Sequence, residues 1–226
     1  MTSTSQHALN LEPQAVLEWV RLPQQARTRA NLVRLLDAAE ALLGEKSFDE
    51  MTIADVARRS RTSIGGFYRR FRDKDALLHA LHERFCEDAR ATSDDALDPD
   101  KWHGASLATI LERITEFVVR IYNERQGLLR AFLLRGVTNP SVRERSDRLF
   151  TYMGEKMAVL LAERAGEISH PDPASAAAFA LRVLLGTLDQ TLQLQPSAAE
   201  LDSPHVTREL TRVLTGYLGV PADAAR

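Results

Sequence analysis

The amino-acid sequence predicts an all-α protein. Three observations carry that expectation. Apolar residues recur at helical spacing in one segment after another, the start signals Asn139-Pro140, Asp172-Pro173 and Ser203-Pro204 stand ahead of such segments, and no run alternates like a strand. With 226 residues, 44% hydrophobic and 27% charged, the chain has the composition of a folded protein with a sizeable core and not of a disordered one.

Residues 1–26 read as an arm or as a short amphipathic helix over Pro13 to Leu22, with Val16, Leu17, Trp19 and Val20 on one side. Leu32, Leu35, Leu36, Ala39, Leu42 and Leu43 then share a helix face that stops at Gly44, and Phe48 follows as a core plug. Thr52-Ile-Ala-Asp55 has the pattern of a capping box and opens a short helix with Ile53, Val56 and Ala57 inward. Ser63 caps a second short helix running to about Arg70, with Phe67 and Phe71 as anchors. Asp73 caps a longer helix on which Leu77, Leu81 and Phe85 recur every fourth residue. Ala91 to Gly104, with Ser93, Asp94, Asp95, Pro99 and Asp100, reads as a loop between two blocks.

Beyond that loop, Leu107, Ile110, Leu111, Ile114, Phe117, Val118 and Ile121 mark a strongly periodic helix, and about Leu128 to Val137 a shorter one. Asn139 and Pro140 start a helix carrying Val142, Leu149, Met153, Met157, Leu160 and Leu161 to Gly166. Pro173 to Gln193 is apolar almost all round, so it must be covered on both sides. Its polar stripe, Arg182, Gly186, Asp189 and Gln193, reads first as a solvated face and second as a source of pocket polar groups. Val206, Leu210, Val213, Leu214 and Tyr217 share the last helix.

The single cysteine, Cys86, excludes an intrachain disulfide and cysteine-clustered metal sites, and it suits a reducing, cytoplasmic setting. A polar Met1 to Asn10 and the lack of a long apolar run predict neither a signal peptide nor a membrane span. No phosphate loop, nucleophile elbow or paired acidic motif recommends an enzyme, and no cofactor is expected. His79, His82 and Glu83 lack the His-Glu-x-x-His order of zinc proteases, and the histidines read as solvated or capping groups, with no metal.

The net charge of −2 hides an asymmetry. Residues 51–79 carry seven basic and three acidic side chains, and the basic ones fall between Arg58 and Lys74. In the same stretch, two short capped helices about three residues apart lie between two longer ones. That is the layout of a helix-turn-helix, whose second helix enters the DNA major groove. Ser63, Gly65, Tyr68, Phe71, Lys74 and Leu77 stand at the spacing of the recognition helix, aromatic, turn, lysine and apolar residue of TetR-type transcriptional regulators, which the sequence resembles over about Arg27 to Phe85.

That resemblance implies a helix-turn-helix DNA-binding domain over 27–72 and a helical ligand-binding and dimerisation domain over 73–220, joined by a linking helix at 73–91. It also implies a homodimer on a pseudo-palindromic double-stranded operator, in the usual case a repressor released by a small-molecule effector of unknown identity. On its motif, Thr52, Ser63 and the turn before Lys74 offer helix N–H groups to phosphates, Tyr68 a hydroxyl and Lys74 a point charge. Arg58, Arg61, Arg69, Arg70 and Arg72 form a basic rim. Ile64 suits a thymine methyl, Gly65 and Gly66 permit close backbone approach, and bidentate guanine reading needs Arg61 or Arg69. The sequence departs from the pattern at Arg61, where the turn usually carries Gly, and at Gly66, where a small hydroxyl residue is common. A left-handed Arg61 costs roughly 1 kcal/mol, so Arg61 is either a strained residue offset by a phosphate contact or part of a slightly different turn.

In the C-terminal block, Trp102, Phe117, Tyr122, Phe132, Tyr152, Met153, Met157 and Phe179 are candidates to line an effector cavity, with core filling as the commoner use. The apolar helix at 173–193 and the last helix predict an isologous four-helix dimer interface. Two other readings stay open at this point: a DNA-silent helical module for ligands or proteins, and a His-based metal protein using His79 and His82.

Overall fold

A computed structural model describes residues 26–194 and 204–221. The arm or helix expected before residue 26 and the Ser203 cap lie outside these residues. The described residues form α1 (Ala26–Leu43), α2 (Ile53–Arg59), α3 (Ile64–Tyr68), α4 (Lys74–Ala96), α5 (Leu107–Glu124), α6 (Gln126–Thr138), α7 (Pro140–Glu163), α8 (Pro173–Leu194) and α9 (Pro204–Leu218), with 3-10 turns at Pro99–Trp102 and Ala165–Glu167. No strand occurs among them, and no described helix is long and apolar enough to cross a membrane.

The start signals act as their chemistry predicts. Thr52 and Asp55 exchange backbone and side-chain hydrogen bonds across the first turn of α2 (3.1 and 3.2 Å). Asp73 accepts from the Ala76 N–H at 2.7 Å, and Asn139 Oδ1 accepts from Ser141 and Val142 ahead of Pro140. Helix α3 is shorter than expected: the N–H groups of Arg70 and Phe71 both turn to Phe67 O, which closes the chain into a turn before the Asp73 cap.

The loop expected over Ala91 to Gly104 is corrected in its first half, where α4 continues to Ala96. Ser93 turns its hydroxyl back to Ala89 O (2.7 Å), and Asp94 is held by Tyr152 and Lys156 of α7 at 2.5 Å each. These partners supply what the local composition lacks, and the chain breaks only at Leu97, before Pro99.

Helices α1 to α3 close around Leu35, Met51, Val56, Phe67 and Phe71, all fully buried. Phe48 plugs this core as expected. The core does not stop there: it continues through Leu77 and Leu81 of α4 into Leu128 and Phe132 of α6 and Leu188 of α8. A second apolar cluster, around Leu107, Ile110, Met157, Leu160 and Leu218, fills the far end of the molecule.

Helix α6 is seated against the small unit. The Gly127 backbone lies so close to α1 that a Cβ there would sit 1.7 Å from Leu43 O. Arg135 pairs with Asp75 (2.7 Å) and lies over the Phe48 ring, while Arg84 spans Asp37 and Glu40 of α1 (2.6 Å each).

Candidate nucleic-acid interface

The turn between α2 and α3 sets the site. Arg61 has φ +55°, the one non-glycine residue in the left-handed region among the described residues. The sequence's departure from glycine is therefore met by the strained conformation itself, worth roughly 1 kcal/mol. Immediately after it, Thr62 donates to Asn31 Oδ1 of α1 (2.6 Å), and Ser63 Oγ accepts from the Gly66 N–H (3.0 Å), so α3 is anchored on its first turn.

Phe67 faces inward and touches Phe71 (centroids 5.4 Å apart), which leaves the opposite side of α3 in solvent. Ile64 is 52% and Tyr68 50% exposed, unusual values for large apolar groups on a helix that also plugs a core. Thr52, Arg61, Ser63, Gly65 and Arg69 are exposed as well, and Arg61 and Arg69 make no ion pair among the described residues. Arg58 and Arg72 are engaged with Asp55 and Asp73. Hydrogen bonds from Thr52, then from Lys46, push the Asp55 carboxyl down to about 2, so α2 carries a fixed negative group beside Arg58.

Two expectations are corrected. Lys74 is no free point charge: its Nζ donates to the carbonyl oxygens of Phe48 (2.7 Å), Asp49 (3.1 Å) and Met51 (2.9 Å), and lies 4.6 Å from the Phe48 ring. An ammonium has three donors, and all three are used, so Lys74 ties the α1–α2 loop to α4. Gly66 is buried on the inner side of α3, where a Cβ would lie 2.5 Å from Thr62 Cγ2. Its smallness is required by close packing against Thr62. Sequence reasoning also missed Asn31 and Arg34, which lie across a cleft from α3; two polar residues on the exposed side of an amphipathic helix carry no signal of their own.

The structure does not gather the eight aromatic and methionine candidates of the C-terminal block around one space. Tyr122 and Phe132 belong to the main core, and Trp102 and Met157 to the far cluster. Phe117 lies under the Arg120 guanidinium, Tyr152 grips Asp94, and Met153 is half-buried. Phe179 is 50% exposed and stacks on Tyr217 on the outer side of α8 and α9, so it lines no interior cavity of the chain. Asp189, expected first in a solvated stripe, instead accepts from the buried Tyr122 hydroxyl at 2.6 Å, and burial raises its carboxyl.

The histidines are corrected too. Both are buried, and neither is a solvated group. Asn139, fixed by its capping role, donates Nδ2 to His79 Nε2 (3.0 Å); Arg145 donates to His82 Nδ1 (3.0 Å), leaving Nε2 to donate to Ser146 Oγ (3.1 Å). Burial, then Arg145 and His79, pushes His82 down to about 3. Cys86 is buried beside it and its thiol is pushed up to about 12, the state of an inert sulfur. The described residues hold no cluster of three or more metal-ligating side chains.

Residues 35–81 match the family model of bacterial regulatory proteins of the tetR family, and residues 106–218 match a tetracyclin repressor-like C-terminal domain. Over 62 residues the chain is 34% identical to the HTH-type transcriptional regulator YvdT of Bacillus subtilis (strain 168), an alignment covering 27% of this chain and 31% of that relative. Salmonella enterica GusR superposes with a TM-score of 0.61 at 25% identity, covering 88% of this chain and 98% of the other. A TetR-family regulator from Mesorhizobium loti MAFF303099 gives 0.67 at 17% identity (86% and 98%), and FadR from Bacillus subtilis, solved with stearoyl-CoA, gives 0.61 at 15% (80% and 96%). These last two are likenesses of fold. The two matched segments account for both the capped helix-turn-helix and the helical block behind it, and the chain belongs to the TetR family of transcriptional regulators.

Proposed function

We propose that the protein acts in the cytoplasm as a dimeric repressor that grips a pseudo-palindromic double-stranded operator with two copies of α3 and releases it when a small-molecule effector binds in the C-terminal block. It needs no catalysis. The observation that carries this reading is the solvent-facing side of α3, where Ile64, Gly65 and Tyr68 stand between Arg61 and Arg69 on a helix anchored from behind by Phe67. In this reading Thr52, Ser63 and Tyr68 set register on phosphates, Ile64 meets a thymine methyl, and Arg61 and Arg69 reach base edges or backbone.

Dimerisation is supported by α8 and α9, which leave Phe179 and Val213 about half exposed beside Tyr217 on one outer face. A second copy across a two-fold axis covers such a face and also sets the distance between the two α3 helices. Effector binding weakens DNA affinity by favouring a spacing that no longer fits two half-sites.

The deciding experiment is selection of bound fragments from a genomic library by the full chain. The expected result is a shared inverted repeat with half-site centres about 34 Å or a multiple apart. Fragments with no common sequence overturn the operator reading, and sedimentation at one chain mass overturns the dimer.

A further inference from the structure

The turn that delivers α3 is strained, and its neighbours must hold it. Arg61 stands at φ +55° in the place where a helix ending of this kind ordinarily has glycine. Both backbone bonds of that ending are made: Arg61 N–H donates to Arg58 O (3.2 Å) and Thr62 N–H to Ala57 O (2.8 Å). A left-handed backbone at a side chain as large as arginine's persists only where its surroundings over-determine it. Such endings usually draw support from an apolar residue after the turn, packed back on the helix that has just ended. Here that position is Thr62, and its hydroxyl reaches away from α2 to another helix.

Thr62 Oγ1 donates to Asn31 Oδ1 of α1 at 2.6 Å, a bond between residues 31 positions apart. Arg34 Nη2 donates to the same oxygen (3.2 Å); a guanidinium only donates, so it fixes the amide with its oxygen toward Thr62. The Thr62 methyl is held as well, since a Cβ on Gly66 would lie 2.5 Å from Thr62 Cγ2 and the methyl therefore rests against the α3 backbone. One side chain thus spans α1 and the first turn of α3. The support behind it is firm: Leu35 and Ala39 of α1 are wholly buried, and Arg84 of α4 grips Asp37 and Glu40.

We propose that Asn31 is a positioning residue for DNA sequence recognition: by holding Thr62 it locks the left-handed turn and fixes the direction in which α3 presents Ile64 and Tyr68. The proposal rests on the reading of α3 given above. Phosphate contacts tolerate a small change in helix direction, whereas contacts with base edges do not, so Asn31 acts on discrimination between sequences and not on general affinity.

The test compares two duplexes of about 30 base pairs by fluorescence anisotropy with the full chain, one carrying the repeat recovered by genomic selection and one with the same bases scrambled. Asn31→Ala is expected to lower affinity for the repeat about fivefold per protomer and to leave affinity for the scrambled duplex at the wild-type value. Thr62→Val, which keeps the shape of threonine and removes its hydroxyl, does the same, and the two together do no more than either alone. Thr62→Ser, which keeps the hydroxyl, retains discrimination. In the Arg61→Gly background the turn carries no strain, and the further change Asn31→Ala costs less than about twofold. In the free protein, amide hydrogen exchange over 62–68 quickens about fivefold in Asn31→Ala while 77–93 keeps its wild-type rates.

Wild-type discrimination in Asn31→Ala, with the wild-type chain preferring the repeat, overturns the proposal and leaves the DNA reading standing. An equal fall on both duplexes makes Asn31 a structural contact only and overturns it as well. If the wild-type chain does not distinguish the duplexes, the operator reading fails first and the recognition role fails with it. Exchange over 62–68 then decides the remainder: faster exchange in Asn31→Ala upholds the lock on the turn, and unchanged exchange overturns that too.

Discussion

The pair α2–α3 and the long helices behind it are held in place by different means. Seven and five residues are too few for an isolated helix in water. These two exist because Thr52 and Ser63 satisfy their first N–H groups and because Val56 and Phe67 are driven into one core. The long helices need less help to form, but their mutual placement depends on partners distant in sequence: Tyr122 to Asp189, Arg130 to Leu192 O, Asn139 to His79, Arg145 to His82. The difference teaches that local signals decide where a helix begins, whereas contacts spanning about sixty residues decide what it leans on.

The sharpest way to break this division is at the joint between the two regions. Gly127→Ala places a Cβ against the Leu43 carbonyl, a backbone group that has no rotamer to escape into. A loss of about 3 kcal/mol or more is expected from denaturant unfolding, while Gly136→Ala, in open space, is neutral or stabilising. Equal effects at the two glycines would show that α6 is not seated as described.

Next in size is Lys74→Met, which keeps the apolar stem over Phe48 and removes the ammonium. It orphans three carbonyls and is expected to cost about 2–3 kcal/mol with no change in the salt slope of DNA binding. A slope lowered by about one contact would return Lys74 to the phosphate role that its motif position suggests.

The His82 node tests the far region. Its folded pKa lies below the ordinary 6.5, so the unfolded chain binds the proton first; stability is full above 6.5 and falls as pH drops from there toward 3. Between pH 6.5 and pH 5 this histidine is expected to cost about 2 kcal/mol, read as the difference in urea midpoints between wild type and His82→Gln. A parallel pH profile in the variant would remove the buried neutral imidazole from the account. The smallest effect is Arg61→Gly, which relieves the left-handed backbone and is expected to stabilise by about 1 kcal/mol in urea unfolding.

Much of the fold is legible from sequence because caps, glycine stops and apolar periodicity are short-range physics. Thr52, Ser63, Asp73 and Asn139 mark their helices within a turn, and Arg61 announces its strain by standing where glycine is usual. The candidate interface is legible in its motif residues and illegible in their duties. Lys74 looks like a ligand for phosphate in one dimension and is spent on carbonyls 23 to 26 residues away. Asn31 and Arg34 look like surface and line a cleft, and His79 and His82 look solvated until α6 and α7 close over them.

By itself, then, the order of residues determined that this chain is helical, where most of its helices start, and which short helix plugs the core with a phenylalanine. Those properties follow from hydrogen bonds and side-chain spacing within a few residues. Only the tertiary structure decided which cations are free, which histidines are neutral, and which polar groups face one another across a cleft. Charge and hydration depend on everything within a few ångströms, and the chain sets those neighbours only by folding.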